Sequence, residues 1–146
     1  MKHKTYRSLL QSGFTLIEIM IVITLLGLIG TWAITNYVGK LEEGKKKGTK
    51  IVMQQLRTAL DDYMRTCGSY PTDAQGGMDA LIAKPIDGSC KDYDNSGYLK
   101  DKKKPKDGWS KDFIYFSEDG RKYILKSFGP DGKEGGDDIS TEDPDF

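Results

Sequence analysis

An α+β fold, with one long N-terminal helix packed on a small antiparallel β-sheet domain, follows from three observations on this 146-residue chain. A continuous apolar run near the N-terminus passes without a break into a segment whose apolar residues recur at helical spacing. Two short segments of β-patterned sequence flank Asp119-Gly120, and Asp-Gly is the strongest short-range hairpin signal. Stretches rich in Gly, Pro, Asp and Lys lie between these elements and break regular structure. The chain beyond the apolar run is about 110 residues, enough for one small domain.

The helix comes first. Residues 14–34 are 21 positions holding 15 apolar residues, three Thr, two Gly and one charge, Glu18. At ~1.5 Å per residue such a helix covers roughly 30 Å, the thickness of a bilayer core. A cleavable secretory signal has an apolar stretch of only ~7–15 residues. An ordinary single-pass anchor fits the length but leaves Glu18 unexplained, since a carboxylate within a span costs on the order of 3 kcal/mol. Lys2, Lys4 and Arg7 precede the run with no acid among them, which assigns that end to the cytoplasm by the positive-inside tendency.

Past the apolar run, Tyr37, Leu41, Gly44, Gly48, Val52, Leu56, Ala59 and Tyr63 step by three or four residues and keep one face. Lys40, Glu42, Glu43, Lys46, Lys47, Lys50, Arg57 and Asp61 fall on the opposite face, expected to be solvated. The spacing predicts one helix from about residue 14 to about residue 64, apolar all round at first and then amphipathic. Gly39, Gly44 and Gly48 each weaken it by ~1 kcal/mol relative to Ala. The lysines at 45–47 read as a solvated face, with an acidic neighbouring subunit as the other reading.

Cys67-Gly68-Ser69-Tyr70-Pro71 ends the helix. Thr72 or Asp73 can cap a short helix through about Ala83, which Pro85 stops. Residues 86–111 read as an irregular loop. Residues 112–117 and 122–127 read as two strands, joined by the turn at 118–121. The tail from Phe128 holds seven acids against one Lys. Cys67 and Cys90 are either buried free thiols or a disulfide, and an oxidising exported location favours the bond, worth roughly 3 kcal/mol. Their spacing is far too wide for a CxxC redox or zinc motif.

Composition narrows the function classes. The only histidine is His3, within the first 13 residues. With both cysteines paired, a membrane-anchored enzyme would have carboxylates alone for its chemistry, most of them in turn-like segments, so the chain is not read as an enzyme. Without residues 1–13, the chain carries 19 basic against 22 acidic residues, no footprint for nucleic acid. Asp92-Tyr93-Asp94-Asn95-Ser96-Gly97 begins like an EF-hand loop, but Lys103 stands where a bidentate Glu is required, and an Asx-type turn is the better reading. The run 100–106, five Lys and one Asp, reads as a solvated loop, with contact to an acidic secreted substrate or partner subunit as its second reading.

Gly13-Phe14-Thr15-Leu16-Ile17-Glu18 resembles the type IV prepilin cleavage motif, a Gly followed by Phe-Thr-Leu-x-Glu behind a basic leader and ahead of a long apolar helix. The resemblance implies cleavage after Gly13, N-methylation of the new terminus Phe14, and a role for Glu18 in assembly through the Phe14 amine of a neighbour. Ser69-Tyr70-Pro71-Thr72-Asp73-Ala74-Gln75-Gly76-Gly77-Met78-Asp79-Ala80-Leu81 resembles a segment of the major pseudopilins of type II secretion. Asn95-Ser96-Gly97-Tyr98-Leu99 is similar to another, and Ser127-Phe128-Gly129-Pro130-Asp131-Gly132 with Asp137-Asp138-Ile139 is similar to their C-terminal calcium loop. Three departures stand out: Thr35 replaces a usual Pro, Asp107-Gly108-Trp109-Ser110 replaces Asp-Pro-Trp-Gly, and the cysteine pair is outside the common pattern.

That family implies a pilin-like fold with a leader at residues 1–13, a transmembrane and assembly helix at 14–35, and a periplasmic domain at 36–146. It implies a homopolymer, the helical pseudopilus that drives type II protein secretion, anchored in the inner membrane before assembly. Implied partners are a prepilin peptidase and methyltransferase, minor pseudopilins and the inner-membrane assembly platform. The implied cofactor is calcium, held by Asp131, Asp137 and Asp138 side chains with carbonyls such as that of Phe128. A type IV pilin or a minor pseudopilin is the alternative within the same class.

Overall fold

The computed structural model describes residues 13–144 and 146. The first helix, α1, is Leu16–Cys67, 52 residues long, so it extends to Cys67 rather than ending near residue 64. The chain forms two compact units, Met1–Lys40 and Leu41–Phe146. The second unit begins at Leu41, and Tyr37 and Val38 before it are exposed.

In the first unit, α1 is long and apolar enough to cross a membrane. Its apolar side chains from Leu16 to Ile34 all face outward, Trp32 being 72% exposed. Two of its threonines are satisfied locally. The Thr24 hydroxyl donates to the Met20 carbonyl at 2.7 Å, and that of Thr31 to the Gly27 carbonyl at 3.0 Å. Such bonds to the preceding turn let hydroxyls sit in an apolar medium without partners from outside. Thr35 lies within α1, and its side chain is outside the described residues.

In the second unit, α1 buries Thr49, Met53, Leu56, Ala59, Leu60 and Tyr63. The stripe is therefore rotated by one residue at its start from the expected Gly44, Gly48 and Val52, and Leu41 stays exposed. Thr49 is the reason. Its hydroxyl donates to the Lys45 carbonyl at 2.9 Å and accepts the Gly108 N–H at 2.9 Å, so a polar residue is buried at no hydrogen-bond cost. Gly108 is required there, because a Cβ would lie 2.5 Å from the Lys45 carbonyl oxygen.

The expected helix after Pro71 is instead two 3-10 turns, Asp73–Gln75 and Gly77–Leu81. Gly76, at φ 93°, separates them, since the left-handed conformation ends a helical turn. Met78, Ala80 and Leu81 join the core.

The sheet has three antiparallel strands in the order β1 (Ile114–Phe116), β2 (Ile124–Ser127) and β3 (Ile139–Ser140). Tyr115 pairs with Leu125, and Ser127 with Ile139. The turn from β1 to β2 closes as expected, with the Asp119 carboxylate accepting the Arg121 N–H at 3.0 Å. β3 was not expected. It lies inside the acidic tail, where Ile139 is buried and the Thr141 N–H and hydroxyl both bond the Leu125 backbone, at 3.0 and 3.2 Å.

Cys67 and Cys90 form a disulfide, with Cα atoms 4.7 Å apart. Beside it Tyr63, Tyr93 and Tyr98 meet edge to face at centroid distances of 5.3 to 6.4 Å. Burial pushes the Tyr63 hydroxyl up to about 12. The segment at 92–97 makes an Asx-type turn, the Asp94 carboxylate accepting the Ser96 N–H at 2.8 Å and its hydroxyl at 2.7 Å.

Candidate functional site

Two sites bear on function, one in each unit. In the first, Gly13 and Phe14 precede α1 in extended chain, with Phe14 77% exposed and nothing within 4 Å of a Cβ placed on Gly13. The leader residues 1–12 lie outside the described residues. Thr15 caps the helix, its hydroxyl accepting the Glu18 N–H at 3.3 Å. Glu18 therefore stands in the first turn, where the helix dipole favours a carboxylate by ~0.3–1 kcal/mol. Its expected partner, the amine of a cleaved neighbouring chain, is an intermolecular group.

The second site is the loop at 128–138, between β2 and β3. Its base is a buried carboxylate, Asp107, which has no ion pair among the described residues and is satisfied by hydrogen bonds. One oxygen accepts the N–H groups of Trp109 and Lys111 at 2.9 and 2.8 Å, and the other accepts the Ser127 hydroxyl at 2.6 Å. Ser127 Oγ in turn accepts the Gly129 N–H at 3.3 Å. Gly129 (φ 62°) and Gly132 (φ 72°) are left-handed, and a Cβ on Gly129 would sit 2.7 Å from the Asp137 carbonyl oxygen and 3.0 Å from its carboxylate.

The three acids expected to converge here do not. Among the described residues no group of three His, Cys, Asp or Glu side chains is placed to hold a metal ion. Asp131 is exposed and accepts the Lys133 N–H at 2.8 Å. Asp138 accepts the Gly135 N–H at 3.2 Å and lies 3.7 Å from the Lys126 ammonium. The Phe128 carbonyl accepts the Gly132 N–H at 3.3 Å. A local Asx bond has claimed one oxygen of Asp131, and a bond from the preceding Gly135 one oxygen of Asp138.

The donor set nonetheless suits a hard cation, and the loop already carries one. Lys111 Nζ donates to the Gly129 and Pro130 carbonyls at 3.3 and 3.0 Å. Oxygen ligands from carboxylates and backbone carbonyls are the set calcium takes. Lys126 balances the far side through Glu134 at 3.0 Å, a hydrogen bond that raises its pKa, with further help from the Glu134 and Asp138 charges. Neither lysine was singled out from the sequence. Lys111 lies between Ser110 and Asp112 and Lys126 within β2, and only the fold shows which carbonyls and acids they meet.

Elsewhere in this unit, a cleft of about 410 Å³ is lined by Asp73, Asp79, Lys104, Asp112 and Tyr115 among others. Asp79 pairs with Lys104 at 2.7 Å, Asp112 with Lys106 at 3.7 Å, and the Tyr115 hydroxyl donates to the Pro71 carbonyl at 2.8 Å. The first two are structural pairings that tie lysines of the loop run at 100–106 to acids outside it.

Residues 36–142 match the family described as type II secretion system protein G, and residues 9–34 match the prokaryotic N-terminal methylation motif. The chain is 35% identical to a type II secretion system core protein G of Vibrio cholerae over 133 residues, 90% of this chain and 89% of that one. It is 36% identical to that of Pseudomonas aeruginosa over 135 residues, covering 90% and 92%. A crystal structure of the major pseudopilin from the type 2 secretion system of enterohaemorrhagic Escherichia coli superposes with a TM-score of 0.62 at 28% identity, covering 73% of this chain and 93% of the other.

Proposed function

The chain belongs to the type II secretion system protein G family, and on that premise we propose that it is the major pseudopilin, the structural subunit that polymerises into the periplasmic pseudopilus. The observation that carries this reading is the outward-facing apolar surface from Leu16 to Ile34. A surface that long is tolerated only in lipid or against other apolar helices, and a filament built on α1 supplies both in turn, before and after assembly.

In this reading a prepilin peptidase on the cytoplasmic side removes residues 1–13 and the Phe14 amine is methylated. α1 holds the subunit in the inner membrane with Leu41–Phe146 in the periplasm. Minor pseudopilins and the assembly platform then start and drive polymerisation. The cysteine pair suits an oxidising compartment. Intact mass of protein extracted from membranes should begin at methylated Phe14. A product keeping residues 1–13 in a peptidase-competent cell would sink the processing step. Replacing Gly13 with a bulky residue should leave the leader on.

Calcium belongs to this reading as the cation of the 128–138 loop, with Asp131, Asp137 and Asp138 and the Phe128 carbonyl as ligands. It supplies charge neutralisation and a six- to eight-oxygen node in a loop of close carboxylates. For this chain to close on it, Asp131 must leave the Lys133 N–H, while Asp137 already lies against Gly129. Binding confined to the folded state adds ~2.7 kcal/mol at a hundredfold excess over the dissociation constant. The melting temperature of the full-length protein in detergent should fall with chelator and recover with calcium, less so with magnesium. Asp131→Ala should melt low and ignore calcium. Identical melting of the wild type with and without chelator would remove calcium from the reading.

A further inference from the structure

We propose that the Lys111 ammonium is the built-in counter-cation of the 128–138 loop and competes with the divalent cation for it. The proposal rests on the calcium reading above. It starts from the anchoring of Lys111, whose N–H bonds buried Asp107 at 2.8 Å and whose carbonyl accepts the Asp107 N–H at 2.9 Å. With its backbone fixed on both sides, its side chain reaches the Gly129 and Pro130 carbonyls at 3.3 and 3.0 Å.

The loop is shaped around that side chain. Any Cβ on Gly132 would collide with the Lys111 side chain, from Cδ out to Nζ. Gly132 thus leaves room for an ammonium as well as supplying a left-handed turn. Asp137 lies on the same Gly129, with its carboxylate oxygen 3.0 Å from the position of the missing Cβ. Carbonyls, a carboxylate and a cation are therefore already gathered at Gly129, and the cation present belongs to the chain.

An ammonium on the Gly129 and Pro130 carbonyls and a divalent ion on the neighbouring Phe128 carbonyl and the loop carboxylates would repel each other over a few ångströms. A divalent ion has to displace the ammonium, and a lysine on a flexible four-carbon stem can withdraw to water. Without metal the ammonium offsets part of the carboxylate repulsion and holds the loop on Asp107. The same residue then stabilises the metal-free chain and weakens the binding of metal.

Calcium titration by calorimetry and melting in chelator, on full-length protein in detergent, test this with wild type, Lys111→Met and Lys111→Arg. Lys111→Met keeps the stem and loses the charge. It should bind calcium about tenfold more tightly, ~1.4 kcal/mol, and melt below the wild type in chelator. Lys111→Arg keeps a cation there and should stay close to wild type in both. Wild type and Lys111→Met binding calcium equally would overturn the competition and leave the calcium site standing. An unchanged melting temperature of Lys111→Met in chelator would overturn the counter-cation role. Binding by none of the three would overturn the calcium reading and the competition together.

Discussion

Between residues 16 and 34 every apolar side chain of α1 faces outward, whereas between residues 49 and 63 the same helix buries Thr49, Met53, Leu56, Leu60 and Tyr63 against its own domain. The backbone is one element and the hydrogen-bond ladder is the same, so the difference lies in where each side chain's partner is found. The first stretch needs partners that its own chain does not contain. The second carries a stripe one residue wide per turn and finds its partners in the 3-10 turns and the sheet. A subunit that must move from lipid into a polymer needs this division. Its assembly surface has to be stable in two apolar environments, and its domain has to be stable in neither.

The largest expected effect breaks the outward-facing stretch. Glu18→Ala should be processed normally and assemble poorly. Losing one partner of a buried pair costs roughly 3–5 kcal/mol, since the other charge is left uncompensated. The position of Glu18 in the first turn of α1 offers a smaller explanation for the same carboxylate, worth ~0.3–1 kcal/mol through the helix dipole. Filament yield from induced cells separates the two by size. A near-complete loss assigns Glu18 to the neighbour's amine, and a normal yield leaves it only the helix terminus.

The next effect is confined to the inward-facing region. Cys67→Ser with Cys90→Ser opens a bridge across a sequence separation of 23, worth roughly 3 kcal/mol, or about 10–20 °C for a domain of this size. Reductant should lower the wild-type melting temperature by the same amount and leave the double variant unchanged. Equal melting of wild type with and without reductant would show that the tyrosine cluster and core hold this end of the domain by themselves.

How much could be read beforehand follows the same division. The outward-facing stretch is written in composition and a short motif, so its length and its lone carboxylate were legible without any packing information. The inward-facing stripe was legible from Leu56 onward, where Leu56, Ala59 and Tyr63 are apolar and buried. It slipped at Thr49, because a hydroxyl bonded to Lys45 and Gly108 hides in a pattern that scores only apolar residues. The hairpin declared itself through Asp119-Gly120. β3 did not, since two residues within an acidic tail carry no periodicity and are specified by pairing with Lys126 and Ser127. The loop's acids were legible by type. Their arrangement was not, because only the fold brings Lys126 to Asp138 and Lys111 to the Pro130 carbonyl beside Asp131.

The smallest expected effect lies where the inward-facing region begins. Glu42 was assigned to the solvated face, yet Trp109 Nε1 donates to its carboxylate at 2.8 Å, and Lys45 donates to the other oxygen at 3.1 Å. The Trp109 hydrogen bond first, and the Lys45 bond and charge after it, hold the Glu42 carboxyl below its ordinary value of 4.5. A carboxylate with a depressed folded-state pKa stabilises the fold fully above its unfolded value, and that contribution is lost as the pH falls through the folded one. Glu42→Gln and Trp109→Phe should each lower the melting temperature at pH 7 by a few degrees at most, well short of the disulfide's effect. The gap between wild type and Glu42→Gln should narrow as the pH is taken from 7 towards 3, while the double variant should add nothing to either single change at pH 7. Additive losses would show that the indole is held by its packing over residues 107–110 rather than by this carboxylate, and a gap that widened on acidification would contradict the depressed pKa.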